Sequence, residues 1–588
     1  MIFYQRYKYF LKLILCLLMV LLLKPYSVEA QQLDKIGKDS PVKVSGGISV
    51  NQTAYSAWGI DSRRDPYRYV MSGNLNFDIY GMQVPLSFSY SNQNFSYQQP
   101  FNQFALAPSY KWLKFQLGYS SMSFSPYTLG GHTFFGGGVE GSPSDKWDFA
   151  VMYGRLRKAV EVDTLNTATV PAYQRMGYGF KTEYKHANGN LGITFFKGED
   201  DPSSLKGEIP EGLLPEENLA VSIYAGQKMG NLTVQAEVAS SMLTHDMNAS
   251  SKNDASSVYG WLYEPKTSSS VHWAFNGGVS YQLKGWNVGA TYERIEPEYR
   301  TLGNYYANND LETASVNIAG QLFNGKVSLS TNIGGQRDNL SGDKASDMTN
   351  MNVALNLSWA ATEKLNLTGS YSNFRSYTVI RSQFEQINQA DPLLQLDTLN
   401  YTQLTDAGNL GVNWMLSSSK EKSQSLALNL NYQQTGAEQS DQSEELASSR
   451  FWNGATSWSW AHRPSDWRLG LSANVSYSEA NAMTPSSLTL GPTFSANKGF
   501  LDKKLKTRTS LSYNQSMQDG ETQGTVISWR LGASTSIKKA HNLNFNTVLL
   551  NRETNGENKQ AFTELTITLG YSYRFSGLKK EEKPEEQQ

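Results

Sequence analysis

The chain has 588 residues, 39% of them hydrophobic, with a mean hydropathy of −0.48 and a formal charge of −1, yet 12% are aromatic and 48 are glycine. This balance excludes long intrinsic disorder and supplies no basic surface for nucleic acid. The longest apolar run, residues 13–23, falls short of the ~20 residues of a membrane-crossing helix, so a polytopic helical protein is excluded and a β-rich chain remains.

Residues 1–30 read as a cleaved signal peptide. Arg6, Lys8 and Lys12 form a basic start, residues 13–23 an apolar stretch, and Val28-Glu29-Ala30 a small-residue cleavage site. Cys16, the only cysteine, leaves with it, so the exported chain has no disulfide to hold it together. The processed chain carries 48 Lys and Arg against 52 Asp and Glu, a formal charge of −4. A short periplasmic segment is expected over 31–40, a transmembrane β-barrel over 41–575, and a charged, disordered periplasmic tail over 576–588.

Strict alternation dominates the mature sequence. Val353, Leu355, Leu357 and Trp359 alternate with Ala354, Asn356 and Ser358, and Leu426, Leu428, Leu430 and Tyr432 with Ala427, Asn429 and Asn431. Leu543, Phe545 and Leu549 do the same, as do Leu565, Ile567, Leu569, Tyr571, Tyr573 and Phe575 against Thr566, Thr568, Gly570, Ser572 and Arg574. Period two places each apolar set on one face of a strand. Short connections are predicted near Gly81, Trp112, residues 142–145, Asn188, Gly230, Gly285, Gly325, residues 362–364, 419–422, 463–466, 501–503 and Lys539. Longer polar connections alternate with them, for example 198–215, 244–269, 296–310, 377–400 and 436–449.

Short periplasmic turns alternating with long outer loops are the rhythm of a membrane barrel. The expected fold is all-β: a single antiparallel up-and-down barrel of about 26 strands, with about 24 as the lower bound. A soluble sandwich, propeller or solenoid also alternates apolar and polar residues. Three observations favour the membrane: strands long enough for a tilted crossing, the absence of a fixed sequence repeat, and aromatic residues at strand ends. Trp112, Trp147, Trp286 and Trp467 stand beside short turns, and Tyr377, Trp452 and Tyr477 beside long loops.

In the last strand Thr568, Gly570, Tyr573 and Phe575 resemble the β-signal by which the barrel-assembly machinery recognises outer-membrane proteins, although thirteen residues follow Phe575 here. A wider resemblance rests on the Gln31-Gln32 mature start, Asp65-Pro66-Tyr67, Phe124-Ser125-Pro126-Tyr127 and Gly131-His132-Thr133-Phe134-Phe135. These stretches resemble the large, mostly uncharacterised outer-membrane β-barrels of Bacteroidota. The resemblance implies location and fold, with outer-membrane lipid and the assembly machinery as partners, but no substrate. The expected strand number is similar to that of the lipopolysaccharide-transport barrel, whose periplasmic domain and cysteines are missing here. The plug domain of TonB-dependent receptors has no counterpart in residues 31–41.

Chemical motifs are sparse. Gly136-Gly137-Gly138 lacks the lysine and helix start of a phosphate loop and reads as close packing in the wall. Glu199-Asp200-Asp201 and Glu216-Glu217 lack calcium-loop spacing and read as solvated loop charges. The six histidines are scattered and no nucleophile elbow occurs, so no catalytic residue, metal ligand or cofactor is assigned and the chain is read as a non-enzyme. By parity, the residues turned into the lumen include Asp78, Lys181, Glu183, Lys185, Glu237, Glu293, Arg468, Arg508, Arg530, Glu564 and Arg574. Six are basic and five acidic, and a mixed wall of that kind would give no strong ion selectivity.

A barrel of this size left empty would breach the permeability barrier. Inward folding of the loops 158–171, 198–215, 244–269 or 377–400, a flattened cross-section, or a separate plug or periplasmic partner would close it. The leading expectation is a channel or translocation pore for a bulky solute or polymer, gated by its own loops or a partner. The alternative is a non-transporting scaffold or receptor that binds a surface protein or ligand through its outer loops, and a third reading is a barrel-embedded hydrolase built from separated side chains.

Overall fold

The computed structural model describes residues 42–79, 82–92, 102–162, 170–207, 209–210, 212–252, 263–305, 308–343, 349–373, 375–376, 403–436, 449–479, 486–555 and 560–575. The expected signal peptide, the 31–40 segment, the Gly81 turn, Tyr377 with the 377–400 loop, and the 576–588 tail lie outside these residues.

The chain begins with β1 (Val42–Trp58), β2 (Tyr67–Ile79), β3 (Met82–Ser91), β4 (Gln103–Leu106), β5 (Ser109–Tyr110), β6 (Leu113–Ser123), β7 (Gly130–Ser144), β8 (Trp147–Arg157) and β9 (Gln174–His186). Next come β10 (Gly189–Asp201), β11 (Glu217–Met229), β12 (Leu232–Thr244), β13 (Ser269–Leu283), β14 (Trp286–Ile295), β15 (Leu311–Leu322), β16 (Val327–Arg337), β17 (Thr349–Thr362), β18 (Leu365–Ser372) and β19 (Arg375–Ser376). The sheet is completed by β20 (Gln403–Ser418), β21 (Lys422–Gly436), β22 (Ser449–His462), β23 (Trp467–Glu479), β24 (Ser487–Phe500), β25 (Leu505–Gln518), β26 (Glu521–Ile537), β27 (His541–Thr554) and β28 (Gln560–Phe575).

Successive crossings pair antiparallel, and β1 pairs with β28 from Gly46 opposite Phe575 to Trp58 opposite Thr563. The sheet therefore has no free edge, which in hydrocarbon leaves no backbone group unsatisfied. β4 and β5 both lie between β3 and β6, and β18 and β19 both pair with β20, so each couple is one interrupted crossing. The result is the expected all-β barrel with 26 crossings.

The turns explain the register. Gly230 and Gly285 have φ of 63° and 80°, the left-handed conformation that tight hairpins require and that glycine adopts without Cβ strain. Longer turns place polar residues there, including Asn324, Asp466 and Asp502. These turns, with the start of β1 and the end of β28, occupy one rim of the barrel.

Alternation gives the wall two faces. On β25, Leu505, Leu511 and Tyr513 share the outer face, and Lys506, Arg508, Ser510, Ser512 and Asn514 the inner one. Leu471 is 54% exposed and Leu511 51%, within a continuous apolar band that only lipid can cover. Aromatic residues border the band at the turn rim, where Trp112 meets Phe149 edge-on at 6.1 Å and Trp147 meets Tyr184 at 4.9 Å. At the opposite rim Trp452 packs on Tyr432 at 4.2 Å. The sole helical turn described, Pro202–Ser204, is capped by Asp201 and leaves the glycines at 136–138 without a helix start nearby.

Candidate functional site: two segments folded into the lumen

Two connections at the loop rim turn inward. Residues 124–129, between β6 and β7, carry Phe124, Tyr127 and Leu129, all buried. Residues 296–305, between β14 and β15, carry Tyr299 and Leu302, also buried. A connection with this many apolar side chains gains stability by leaving water, and the inner wall of β6–β14 receives it.

The receiving wall combines glycines with large apolar groups. Phe124, Leu129 and Leu302 cluster with Met122, Phe134, Met152, Leu156, Phe196 and Leu243, all from inner-face positions. A Cβ on Gly179 would stand 2.8 Å from the Phe124 ring, and one on Gly138 would stand 2.6 Å from the Met122 sulfur. Glycine at 179 lets Phe124 lie flat on the strand, and glycine at 138 makes room for Met122 beside it. Glycine spacing in the 136–138 stretch thus serves close approach, as expected from sequence.

The two segments hold each other by backbone-directed bonds. Leu129 forms a parallel bridge with Gly303, the Tyr299 hydroxyl donates to the Tyr127 carbonyl at 2.7 Å, and the Thr301 hydroxyl to the Thr128 carbonyl at 2.6 Å. Polar pins then fix them to the wall. Thr128 and Thr194 share a hydroxyl hydrogen bond at 3.0 Å, which continues to Ser222 at 2.8 Å. The Leu302 amide donates to the Asn218 side-chain carbonyl at 3.1 Å. Ser125 donates to Glu237 and Tyr127 to Glu293. Burial, and then the Glu293 carboxylate, push the Tyr127 phenol far above its ordinary range, so it stays a donor throughout the physiological pH range.

Charged residues anchor the same elements. Arg175 reaches Asp200 at 2.7 Å and Glu216 at 2.9 Å, Arg157 reaches Asp200 at 3.1 Å, and Arg300 of the second segment closes the network on Glu216. Asp200 is 2% exposed. The expectation that Asp200 and Glu216 are solvated loop charges is therefore corrected. Arg175 faces Asp200 directly across the β9–β10 hairpin, whereas Arg300 reaches Glu216 from a loop 84 positions away.

Beside the segments a cavity of about 490 Å³ is lined by Tyr127, Glu293, Tyr299, Asn304 and Tyr305, among others. Its mixture of phenols, one carboxylate and the two amides of Asn304 and Asn308 suits a hydroxyl-bearing guest. His132 stacks on Tyr305 at a ring separation of 4.0 Å at the end of the inserted pair.

Of the residues expected in the lumen, only Glu237 and Glu293 touch the inserted segments. Glu183 accepts from Asn190 at 3.1 Å and from Tyr224 at 2.7 Å, Lys181 lies over the Tyr224 ring, and Lys185 pairs with Asp148. Asp78 accepts from Gln83 at 2.8 Å. Glu564 accepts from Tyr55 and pairs with Arg63 at 2.8 Å. Arg574 borders a recess near Lys539 at the turn rim. Arg468, Arg508 and Arg530 lie together on another part of the wall, while Lys181 and Lys185 stand among the acidic residues. Inner positions of β2–β14 carry Asp78, Glu140, Asp148, Glu183, Glu237 and Glu293, whereas those of β15–β27 carry no acidic residue among the described residues.

The four positions that resemble a β-signal all fall in the closing strand. Thr568 lies opposite Thr53, Gly570 opposite Asn51, Tyr573 opposite Ile48 and Phe575 opposite Gly46. Tyr573 stacks between His541 at 4.6 Å and Phe575 at 5.4 Å.

Sequence reasoning missed the inserted segments. It looked for a closing loop among long polar connections, and the 124–129 connection is short. The available signal was composition, since Phe124, Tyr127 and Leu129 form an apolar group in a connection where polar residues belong. Among the described residues, no group of three potential metal ligands occurs.

No protein-family model matches the chain, and no curated protein matches it in sequence. Solved structures do share its shape in part. The outer membrane transporter YddB from Escherichia coli is 10% identical with a TM-score of 0.38, over 90% of this chain and 81% of that one. The ferric citrate transporter FecA in its unliganded form is 10% identical with a TM-score of 0.38, over 90% and 79%. OccAB2 from Acinetobacter baumannii is 9% identical with a TM-score of 0.28, over 66% and 98%. At these scores the likenesses add nothing to the barrel already described.

Proposed function

We propose that this protein is an outer-membrane channel for a bulky solute, closed at rest by its own inserted segments. The observation that supports this reading is how residues 124–129 and 296–305 are held. They rest on a glycine-smoothed wall through side-chain pins, and no strand of the barrel runs through them. Polar pins of this kind contribute roughly 0.5–1.5 kcal/mol each, so the pair can leave the wall without unravelling the ladder. A non-transporting scaffold needs no such detachable contact.

Export by a cleaved signal peptide and insertion by the assembly machinery through Thr568, Gly570, Tyr573 and Phe575 belong to the same reading. A plug or periplasmic partner remains part of it only if the inserted segments leave a conducting path. The chemistry inside is that of wall, pins and passage, which favours transport over hydrolysis.

Planar-bilayer recordings test the reading. Replacing residues 124–129 by a glycine-serine linker is expected to raise open probability and single-channel conductance over the native protein. Silence from both proteins, each correctly folded by heat-modifiability on gels, would overturn it.

A further inference from the structure

From the cavity beside the inserted segments, we infer that the barrel recognises a neutral saccharide, seated on the Tyr305 ring next to the Glu293 carboxylate. The inference deepens the channel reading and rests on it for passage, though not for binding.

Three separate parts of the chain enclose the cavity. Ser123 and Pro126 come from the end of β6 and the first segment, Tyr305 and Asn308 from the β14–β15 connection, and Glu293 from the inner face of β14. Its volume of about 490 Å³ falls within the ~300–1,000 Å³ of small-molecule sites. Ser123, Pro126, Tyr305 and Asn308 are all exposed, so a guest can enter without displacing the inserted pair.

Tyr305 supplies a platform. One face of its ring stacks on the buried His132 at 4.0 Å with the planes 20° apart, yet the residue is 51% exposed. Its hydroxyl accepts from the Thr133 amide at 3.1 Å, which fixes the ring and leaves the hydroxyl hydrogen to donate. A ring held on one side and bare on the other offers a π face to the C–H groups of whatever enters. The apolar face of a sugar ring carries such C–H groups, with hydroxyls around its edge.

The polar lining selects the guest's charge. Glu293 is the one carboxylate in it, and no lysine or arginine lines the cavity among the described residues, so an anion meets repulsion and no counter-charge. A cation would satisfy Glu293 but leave the Tyr305 hydroxyl and the Asn308 amide hydrogens without an acceptor. Hydroxyl groups answer both, since they donate to the carboxylate and accept from the phenol and the amide. Glu293 has room for that bond. Tyr127 donates to its Oε1, and its Oε2 carries no hydrogen bond among the described residues.

Calorimetry on the full-length protein, in a detergent without a sugar headgroup, tests binding. Maltotriose, cellotriose and mannotriose serve as neutral probes, trigalacturonate as the anionic one and tetramethylammonium as the cationic one. At least one neutral trisaccharide is expected to bind, with an affinity that salt does not change. Tyr305→Ala is expected to weaken it about tenfold, and Tyr305→Phe to keep most of it. Ser123→Phe, which puts a ring into the cavity from an exposed position, is expected to abolish binding. Heat-modifiability on gels checks that each variant is folded. No binding of any neutral probe, binding of trigalacturonate or tetramethylammonium alone, or equal affinity in native and Tyr305→Ala protein would overturn the inference. Bilayer recordings then separate the two readings: saccharide binding without current breaks only the channel, whereas current without saccharide binding breaks only the saccharide site.

Discussion

The inner wall of β6–β14 and that of β15–β27 are made by the same alternation, yet they do opposite things. The first carries Phe134, Met152, Phe196 and Leu243 at lumen positions and buries an inserted pair of segments against them. The second carries serine, threonine and asparagine at the equivalent positions, with one cationic row near the turn rim. Outward faces are apolar on both sides, because lipid demands it all round. The inner faces differ in what meets them: among the described residues, the two inserted segments pack on the first wall. Parity thus settles which way a side chain points, and what meets it there decides its chemistry.

Breaking the anchored side should cost most. Arg175→Ala strips Asp200 of its best partner while Asp200 stays buried, and a loss of about 3–5 kcal/mol is expected in urea unfolding followed by tryptophan fluorescence in micelles. A loss below about 1 kcal/mol would show that the network is incidental. Gly179→Val should come next, at about 1–3 kcal/mol, because the new methyl groups displace Phe124, and the channel should open more often in bilayers. Stability lost without added openings would separate packing from gating.

Smaller changes sharpen the contrast. Thr301→Val removes one hydroxyl bond to the Thr128 carbonyl, and about 1 kcal/mol should raise the open-to-closed ratio roughly fivefold. On the opposite wall Asn429→Ser should change stability by no more than about 0.5 kcal/mol and leave gating untouched. A large effect there would mean that the polar wall, too, carries a structural partner.

Much of this molecule was legible in its sequence. The β28 alternation through Leu565, Ile567 and Leu569, and turn glycines such as Gly230 and Gly285, are local signals that led to the barrel and its strand number. What escaped was non-local. Arg175 lies directly opposite Asp200 across the β9–β10 hairpin and could have been reached by counting outward from the turn at Asn188, but Glu216 meets Arg300 from a loop 84 positions away and leaves no spacing to read. The clustering of three arginines escaped because it spans separate strands: six basic and five acidic lumen residues balance as a list, while Arg468, Arg508 and Arg530 share one wall and Lys181 and Lys185 stand among the carboxylates. The inserted segments were hidden by length, since 124–129 is too short to look like a gate.

The most direct measurement tethers the first segment to its wall. Thr128 and Thr194 place their hydroxyl oxygens 3.0 Å apart, close enough for a disulfide in T128C/T194C, and the chain's only cysteine, Cys16, belongs to the expected signal peptide. Single-channel recordings of this variant are expected to show no openings when oxidised and native-like openings after reduction. Oxidised, cross-linked protein that conducts like the native channel would contradict the account.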